Sequence, residues 1–374
     1  MARDQNPKLL CFEPEVIGLP KSSLISYESR KMGLSTADPA DRAWVGAGEQ
    51  YYAVGYLARS FKGNAGLSQL KYERAFPKVL AAVWAASMEL GLKDSFTAAI
   101  GILLPPGEYE NASRLRNLIE VGLEKFETPT GTLSVKLTHF DCKPEGGGVY
   151  MAHANHRGLA SLKHKTVAVL MVGHRNASVL VAQRGQVNLR VTCDLGFVQL
   201  VKAVDEKTSG LDFNRLAEVI ANAGNPPDCK VLWKVLMSST ESGRFDELNK
   251  LKNAIVASRT EYALSLKSWL REVLPKNVDE VVLCGGTADY LRNELSEHFS
   301  YSSIFWHGVE LPEQLRTQQL GNRLCDAYGM YQYFVNFVAN TPPTNSDSAS
   351  SSSNRTRSAN RDTSKQQEVA AVNG

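Results

Sequence analysis

The sequence predicts two α/β lobes followed by a polar tail, on three observations. Strand and helix patterns alternate up to about residue 155. A second block opens with a meander of strand patterns from Thr166 and closes with a strand–glycine–helix unit at Val281–Leu291. From Thr341 onward the chain is polar, with a serine run at Ser350–Ser353 and no aromatic residue. Alternating strands and helices bury one another in layers, and 374 residues leave room for about two domains of roughly 100–200 residues each. The tail has too little apolar area to offset the entropy of ordering it, so it is expected to be disordered.

Hydrophobic content of 43% and charged content of 22% are those of a soluble globular chain with a substantial core. A net charge of +3, without a Lys/Arg-rich block, is too mild to predict a nucleic-acid surface. The cysteines (Cys11, Cys142, Cys193, Cys229, Cys284, Cys325) are scattered without a CxxC pair. Neither a structural zinc site nor a disulfide framework is indicated, and buried thiols in a reducing cytoplasm follow. No run reaches the ~18 apolar residues of a spanning helix, and the N-terminus lacks a signal-peptide core. A cytoplasmic protein without a membrane partner is expected.

The elements follow in order. Lys8–Phe12 (KLLCF) reads as a strand, residues 29–49 as a polar loop, and Tyr51–Tyr56 as the next strand. Leu67–Leu90 is helical, with Val79, Leu80, Val83, Trp84 and Met88 on one face. Pro77 should mark a kink or a helix start there. Thr97–Leu104 is a strand stopped by Pro105-Pro106-Gly107. Residues 110–125 form an amphipathic helix through Leu115, Leu118, Ile119 and Leu123. Thr132–Phe140 alternates as a strand, and Lys143–Gly148 turns the chain. Thr166–Val172 is the strongest buried-strand signal, followed by a turn at Gly173–Asn176 and strands at Ser178–Ala182 and Val187–Thr192. Residues 196–207, 211–223, 245–274 and 312–338 read as helices.

The stretch Val281–Thr287 carries the chemistry most directly. Val281–Cys284 suits a strand covered on both faces. Gly285 and Gly286 allow a sharp turn and close approach of another group, and Thr287 is a good helix N-cap. Together they make a nucleotide cradle at a helix N-terminus. An ordinary tight strand-to-helix turn uses the same residues, so the pattern alone leaves both open.

Three turns follow strands: PEGGG at 144–148, VGHRNAS at 172–178 and CGGTADYL at 284–291. With that order the chain resembles the actin and sugar-kinase superfold. More closely it resembles the bacterial actin-like ATPases that segregate plasmids, the ParM/StbA kind, and its cyanobacterial-type members in particular. EPEVIGLPKSSLISYES at 13–29, YYAVGYLAR at 51–59, LLPPGEYEN at 103–111 and LPEQLRTQQLGNRLCDAYGMYQYF at 311–334 carry the same likeness. It covers roughly residues 8–338.

The resemblance implies a two-lobed actin-like (ribonuclease H-like) fold. Lobe I would take residues 1–155, completed by a helix at about 316–340, lobe II residues 160–315, and a disordered tail residues 341–374. ATP and Mg²⁺ would lie between the lobes. Gly285, Gly286 and Thr287 would receive adenosine, and Gly173, His174, Arg175 and Asn176 would form a phosphate loop. Glu145 would orient or activate the attacking water, which phosphoryl transfer needs beside oriented donors and a cation. The implied partners are further copies of the chain, in a filament, and an adaptor protein linked to plasmid DNA.

The sequence departs from that pattern. The family opens lobe I with an Asp-x-Gly phosphate hairpin, whereas only Met1–Pro7 precede the Lys8 strand pattern. Either the chain start is misassigned or the hairpin is missing, and its loss would leave strands that should be interior as edges. Met171 stands where members often carry an Asp of the magnesium shell, and Asn176 where a threonine is usual. A thioether is no ligand for a hard cation, so no metal ligand is assigned. Weak nucleotide binding and slow or no hydrolysis are expected. The alternatives are a non-catalytic actin-like binding or copolymerising subunit, and a small-metabolite kinase, for which no substrate base is found in the first lobe.

Overall fold

The computed structural model describes residues 7–30, 38–66, 69–208, 210–317 and 320–343. Two sheets organise them. Sheet one contains β1 (Val16–Gly18), β2 (Trp44–Ala47), β3 (Gln50–Val54), β4 (Ser95–Leu104), β5 (Phe126–Thr128) and β6 (Gly131–Pro144), in the order β1-β3-β2-β5-β6-β4. Its pairs are antiparallel except β4–β6, which is parallel. Sheet two contains β7 (Thr166–Val172), β8 (Ala177–Gln183), β9 (Gln186–Cys193), β10 (Glu280–Cys284) and β11 (Ser303–Trp306), in the order β11-β10-β7-β8-β9.

The central strand β7 divides its side chains between two cores, as the two-residue period of a strand requires. Ala168, Leu170 and Val172 face a cluster with Leu200, Ile220 and Leu266 of the helices Phe197–Lys207, Phe213–Ala223 and Glu241–Val273. Val167 and Val169 face the opposite cluster, with Val149, Val282 and Leu324. Sheet one packs on Leu80 and Trp84 of the helix Lys71–Glu89 and on Leu115, Ile119 and Leu123 of the helix Ala112–Glu124.

Two helices tie the sheets together, Gly147–Arg157 and Cys325–Asn340. They cross on bare backbone. A Cβ on Gly148 would collide with the Asp326 carbonyl and the Met330 amide, and one on Gly329 with the Gly148 carbonyl. Asp326, buried at the crossing, accepts from the Gly146 amide at 2.9 Å and the Val149 amide at 3.1 Å. Its side chain thereby holds the first turn of the other helix.

Several expectations need correction. Lys8–Phe12 forms no strand, because it has no ladder partner among the described residues. The polar stretch 29–49 contains β2, and the helix Lys21–Arg30 precedes it. Pro77 lies inside one continuous helix. Its missing amide falls in the second turn of that helix. The Lys143–Gly148 turn shrinks to Glu145–Gly146, since β6 runs to Pro144 and a helix begins at Gly147. The helical stretch 312–338 is broken into Glu313–Arg316, a 3₁₀ turn at Gly321–Leu324, and Cys325–Asn340. Within the predicted tail only Thr341–Pro343 are described, and residues 344–374 lie outside the described residues.

Candidate functional site

The parallel pairing of β7 with β10 aligns Leu170 with Leu283 and Met171 with Cys284. Their following turns therefore leave the sheet at the same edge. A cavity of about 1150 Å³ opens there, lined by Met171, Gly173, His174, Gly285, Gly286 and Thr287. The polar face of the helix Phe213–Ala223 forms another wall through Glu218 and Asn222. Tyr290, Arg292 and Glu13 complete the parts used below.

Gly285 has a φ of +101°, and a Cβ there would overlap the Val172 backbone. Only glycine permits the turn. The short helix starts at Gly286, so Thr287 is not its N-cap, as expected from the sequence, but lies in its first turn. Its hydroxyl instead donates to the Gly173 carbonyl at 2.9 Å. That carbonyl also accepts from the Phe197 amide at 3.0 Å. The two turns are thus fastened to each other and to the start of the Phe197–Lys207 helix.

The predicted residues divide. Gly173, His174, Gly285, Gly286 and Thr287 meet at the cavity. Burial lowers the His174 imidazole pKa, which favours a neutral ring, 6.2 Å from Phe197. Asn176 is buried, and its carbonyl accepts from the Gly173 amide at 3.0 Å within the turn. Arg175 turns away and donates to the Gln69 carbonyl of the other half of the molecule. Glu145 also stands apart from the cavity wall, paired with Lys71 Nζ at 2.7 Å.

The sequence reading missed Tyr290, Arg292, Glu218 and Asn222. Tyr290 is wedged between the Arg259 guanidinium, 4.3 Å over its ring, and the edge of Phe197 at 5.3 Å. Arg259 is held by Glu294 through two hydrogen bonds of 2.7 and 2.9 Å. Arg292 lies 3.8 Å over the Trp306 ring and donates to Asp289 at 2.7 Å. Aromatic and guanidinium planes, amide side chains and a carboxylate suit a base and ribose. The sequence signal available was the polar face of residues 211–223, which points at the glycine pair only after folding.

The phosphate and metal end fits less well. Among the described residues no group of three or more His, Cys, Asp or Glu side chains could hold a metal ion. Met171 offers no oxygen, Arg175 is engaged elsewhere, and Glu13, at the cavity wall, is paired with Arg59 at 2.9 Å. The donor set fits a nucleoside better than a magnesium triphosphate.

The fold is that of the actin-like proteins, with two lobes. Solved structures of such proteins match it over most of both chains. The actin-like protein Alp7A matches with a TM-score of 0.59 and 15% identity, covering 88% of this chain and 91% of that one. The archaeal actin homologue Ta0583 matches at 0.57 and 16%, covering 88% and 94%. Its complex with ADP matches at 0.51, covering 79% and 89%. A 15-stranded ParM filament from Clostridium botulinum matches at 0.56 and 14%, covering 88% and 94%. No protein-family model matches the sequence, and neither does any curated protein.

Proposed function

We propose that this chain is an actin-like filament protein of the bacterial cytoplasm that takes adenine nucleotide in the cavity lined by the Gly173–His174 and Gly285–Thr287 turns and segregates plasmid DNA through an adaptor protein. The observation that carries the reading is the convergence of two strand–turn units, Gly173–His174 and Gly285–Thr287, on one cavity walled by Tyr290 and Arg292. The ADP complex of a structural neighbour and the filaments of another support it. We take lobe I as residues 1–155 with the helix about 316–340, and lobe II as residues 160–315.

In this reading the adenosine lies against Gly285, Gly286, Thr287 and Tyr290, and the Gly173–Asn176 turn faces the phosphates. The nucleotide supplies the anhydride and Mg²⁺ the charge neutralisation when bound. Glu145 is the residue for orienting water, and its ion pair with Lys71 opposes that role. Hydrolysis is therefore slow or absent, because phosphoryl transfer rests on electrostatic positioning. The pairing of Glu145 and the methionine at position 171 favour one second reading, a non-catalytic subunit that binds partners or copolymerises.

Thermal-shift titrations with adenosine, ADP and Mg-ATP test binding, since ligand at about 100 times its dissociation constant adds about 2.7 kcal/mol. Adenosine and ADP are expected to stabilise as well as Mg-ATP does. Sedimentation with each nucleotide tests polymerisation. No shift with any of them would overturn the nucleotide reading. Rapid phosphate release abolished by Glu145→Ala would overturn the impaired-hydrolysis reading.

A further inference from the structure

Two of the residues expected to act at the phosphate end, Glu145 and Arg175, are held by one short stretch of chain, residues 69–71. Lys71 Nζ donates to Glu145 Oε1 at 2.7 Å. Two positions earlier, the Gln69 carbonyl accepts from Arg175 Nη2. The stretch thus meets both halves of the molecule, since Glu145 follows β6 of sheet one and Arg175 lies in the turn between β7 and β8 of sheet two. Its backbone is anchored. Arg74 donates to the Gln69 side-chain oxygen at 3.0 Å and to the Val16 carbonyl at 2.8 Å. The Tyr72 amide donates to the buried Glu108 carboxylate at 3.0 Å. A change of partners at this place therefore falls to the long side chains of Lys71, Glu145 and Arg175.

The charges there favour an anion. Arg175 gives a cationic donor to a neutral carbonyl, a weaker match than an anionic oxygen makes. Lys71 has the Glu145 carboxylate, but it is not the only cation on its side of the helix. Arg74 and Lys78 follow it at spacings of three and four residues along the helix Lys71–Glu89, on one face. Burial, with the Arg74 and Lys71 charges, pushes the Lys78 ammonium down to about 8. Glu15 opposes that shift and is itself held by Arg59 at 3.0 Å. An anion beside Lys71 would relieve the crowding of like charges. Gly173 and His174 of the neighbouring turn line the cavity, and Arg175 is the next residue along.

We propose that Lys71 and Arg175 are the two arms of a phosphate clamp, one from each half of the molecule, which exchange Glu145 and the Gln69 carbonyl for phosphate oxygens. The ligand class is a chain of two or more phosphates, carried by the nucleotide of the proposed function, on which this assignment rests. Lys71 leaves Glu145 for one phosphate oxygen, and Arg175 leaves the carbonyl for another. The carboxylate so released becomes an acceptor able to orient a water. Lys71 is then a positioning residue, and its pairing with Glu145 is the state that phosphate reverses.

The probe is inorganic tripolyphosphate without magnesium, titrated into the full chain by calorimetry at constant ionic strength, with adenosine titrated separately. Saturable binding of one tripolyphosphate per chain is expected. Lys71→Met and Arg175→Met should each weaken it by at least about tenfold. Lys71→Arg should keep most of it, and none of the three should alter the adenosine isotherm. Glu145→Gln separates a clamp from a merely structural ion pair. It removes the competitor for Lys71, so tripolyphosphate should bind at least about threefold more tightly, whereas a structural pair predicts no change or a loss. The proposal is overturned by no saturable tripolyphosphate binding, by Lys71→Met binding it as the parent chain does, or by Glu145→Gln binding it no more tightly. Arg175→Met and Glu145→Gln decide the matter should Lys71→Met fail to fold. Absence of adenosine binding, with tripolyphosphate still bound, counts against the nucleotide reading and not against the clamp.

Discussion

The Thr287 hydroxyl donates to the Gly173 carbonyl at 2.9 Å and so joins the two turns that bound the cavity. These residues stand 114 positions apart in the chain, and the bond reports whether β7 and β10 keep their register. Thr287→Val removes the donor while keeping the volume. It is expected to cost about 1 kcal/mol, read as a lower urea midpoint with an unchanged slope. Thr287→Ser should recover most of it.

Gly285→Ala should be more damaging. The residue holds a φ of +101° and lies against the Val172 backbone. Strain and overlap together are expected to exceed about 1–3 kcal/mol. Gly286→Ala meets only the flexible Arg323 side chain, at 3.2 Å, and should cost less. Equal midpoints for the two variants would contradict this account of the turn.

Sheet two was legible in the sequence because Thr166–Val172 and Val281–Cys284 are covered on both faces and so read as unbroken apolar runs. Sheet one was less legible. β1, β2 and β5 are strands of three or four residues, too short for a period to declare itself. Lys8–Phe12 has the right composition for a strand but lacks a partner, and pairing is a tertiary property. Half of the cavity was foreseen, since glycine turns leave a local signature. The Tyr290–Arg259 and Arg292–Trp306 stacks were not, because each joins residues whose neighbourhood exists only after folding.

Glu280 is fully buried on β10 and is met by His153 at 2.8 Å, Arg157 at 2.9 Å and Lys165. Burial alone would raise its pKa, but hydrogen bonds from Lys165, His153 and Arg157 hold the carboxyl down at about 2. With the folded value below the unfolded 4.5, its stabilisation is present above pH 4.5. It is lost as the pH falls toward 2. Glu280→Gln should flatten that acid limb of stability against pH. Its cost at neutral pH is expected near the lower end of the ~3–5 kcal/mol for breaking a buried pair, because Arg157 and Lys165 can still reach water.

Asp326 behaves in the opposite sense. Burial, with Glu145 nearby, pushes its carboxyl up to about 6 from 3.8, against the pull of the Gly146 and Val149 amides. The folded protein then binds the extra proton between those values, so this group's contribution to stability falls as pH rises from about 4 to 6. Asp326→Asn should remove that slope. Denaturation midpoints measured across the interval for both proteins check the sign.

A chain ending at Pro343 is expected to unfold at the same midpoint as the full chain, because the residues beyond are too polar to add core. Ending at Asn340 removes the Thr341 carbonyl, 2.9 Å from His139 Nε2. That truncation should lose about 1 kcal/mol. A cooperative melt that disappears in the Pro343 chain would contradict the assignment.

The glycine crossing of the helices Gly147–Arg157 and Cys325–Asn340 has a mechanical consequence. Where side chains interdigitate, neighbouring helices can slip by changing rotamers. At Gly148 and Gly329 there are none to change. The two backbones meet without a cushion of side chains, and the Asp326 carboxylate ties the Cys325–Asn340 helix to the Gly146 amide at the head of the other.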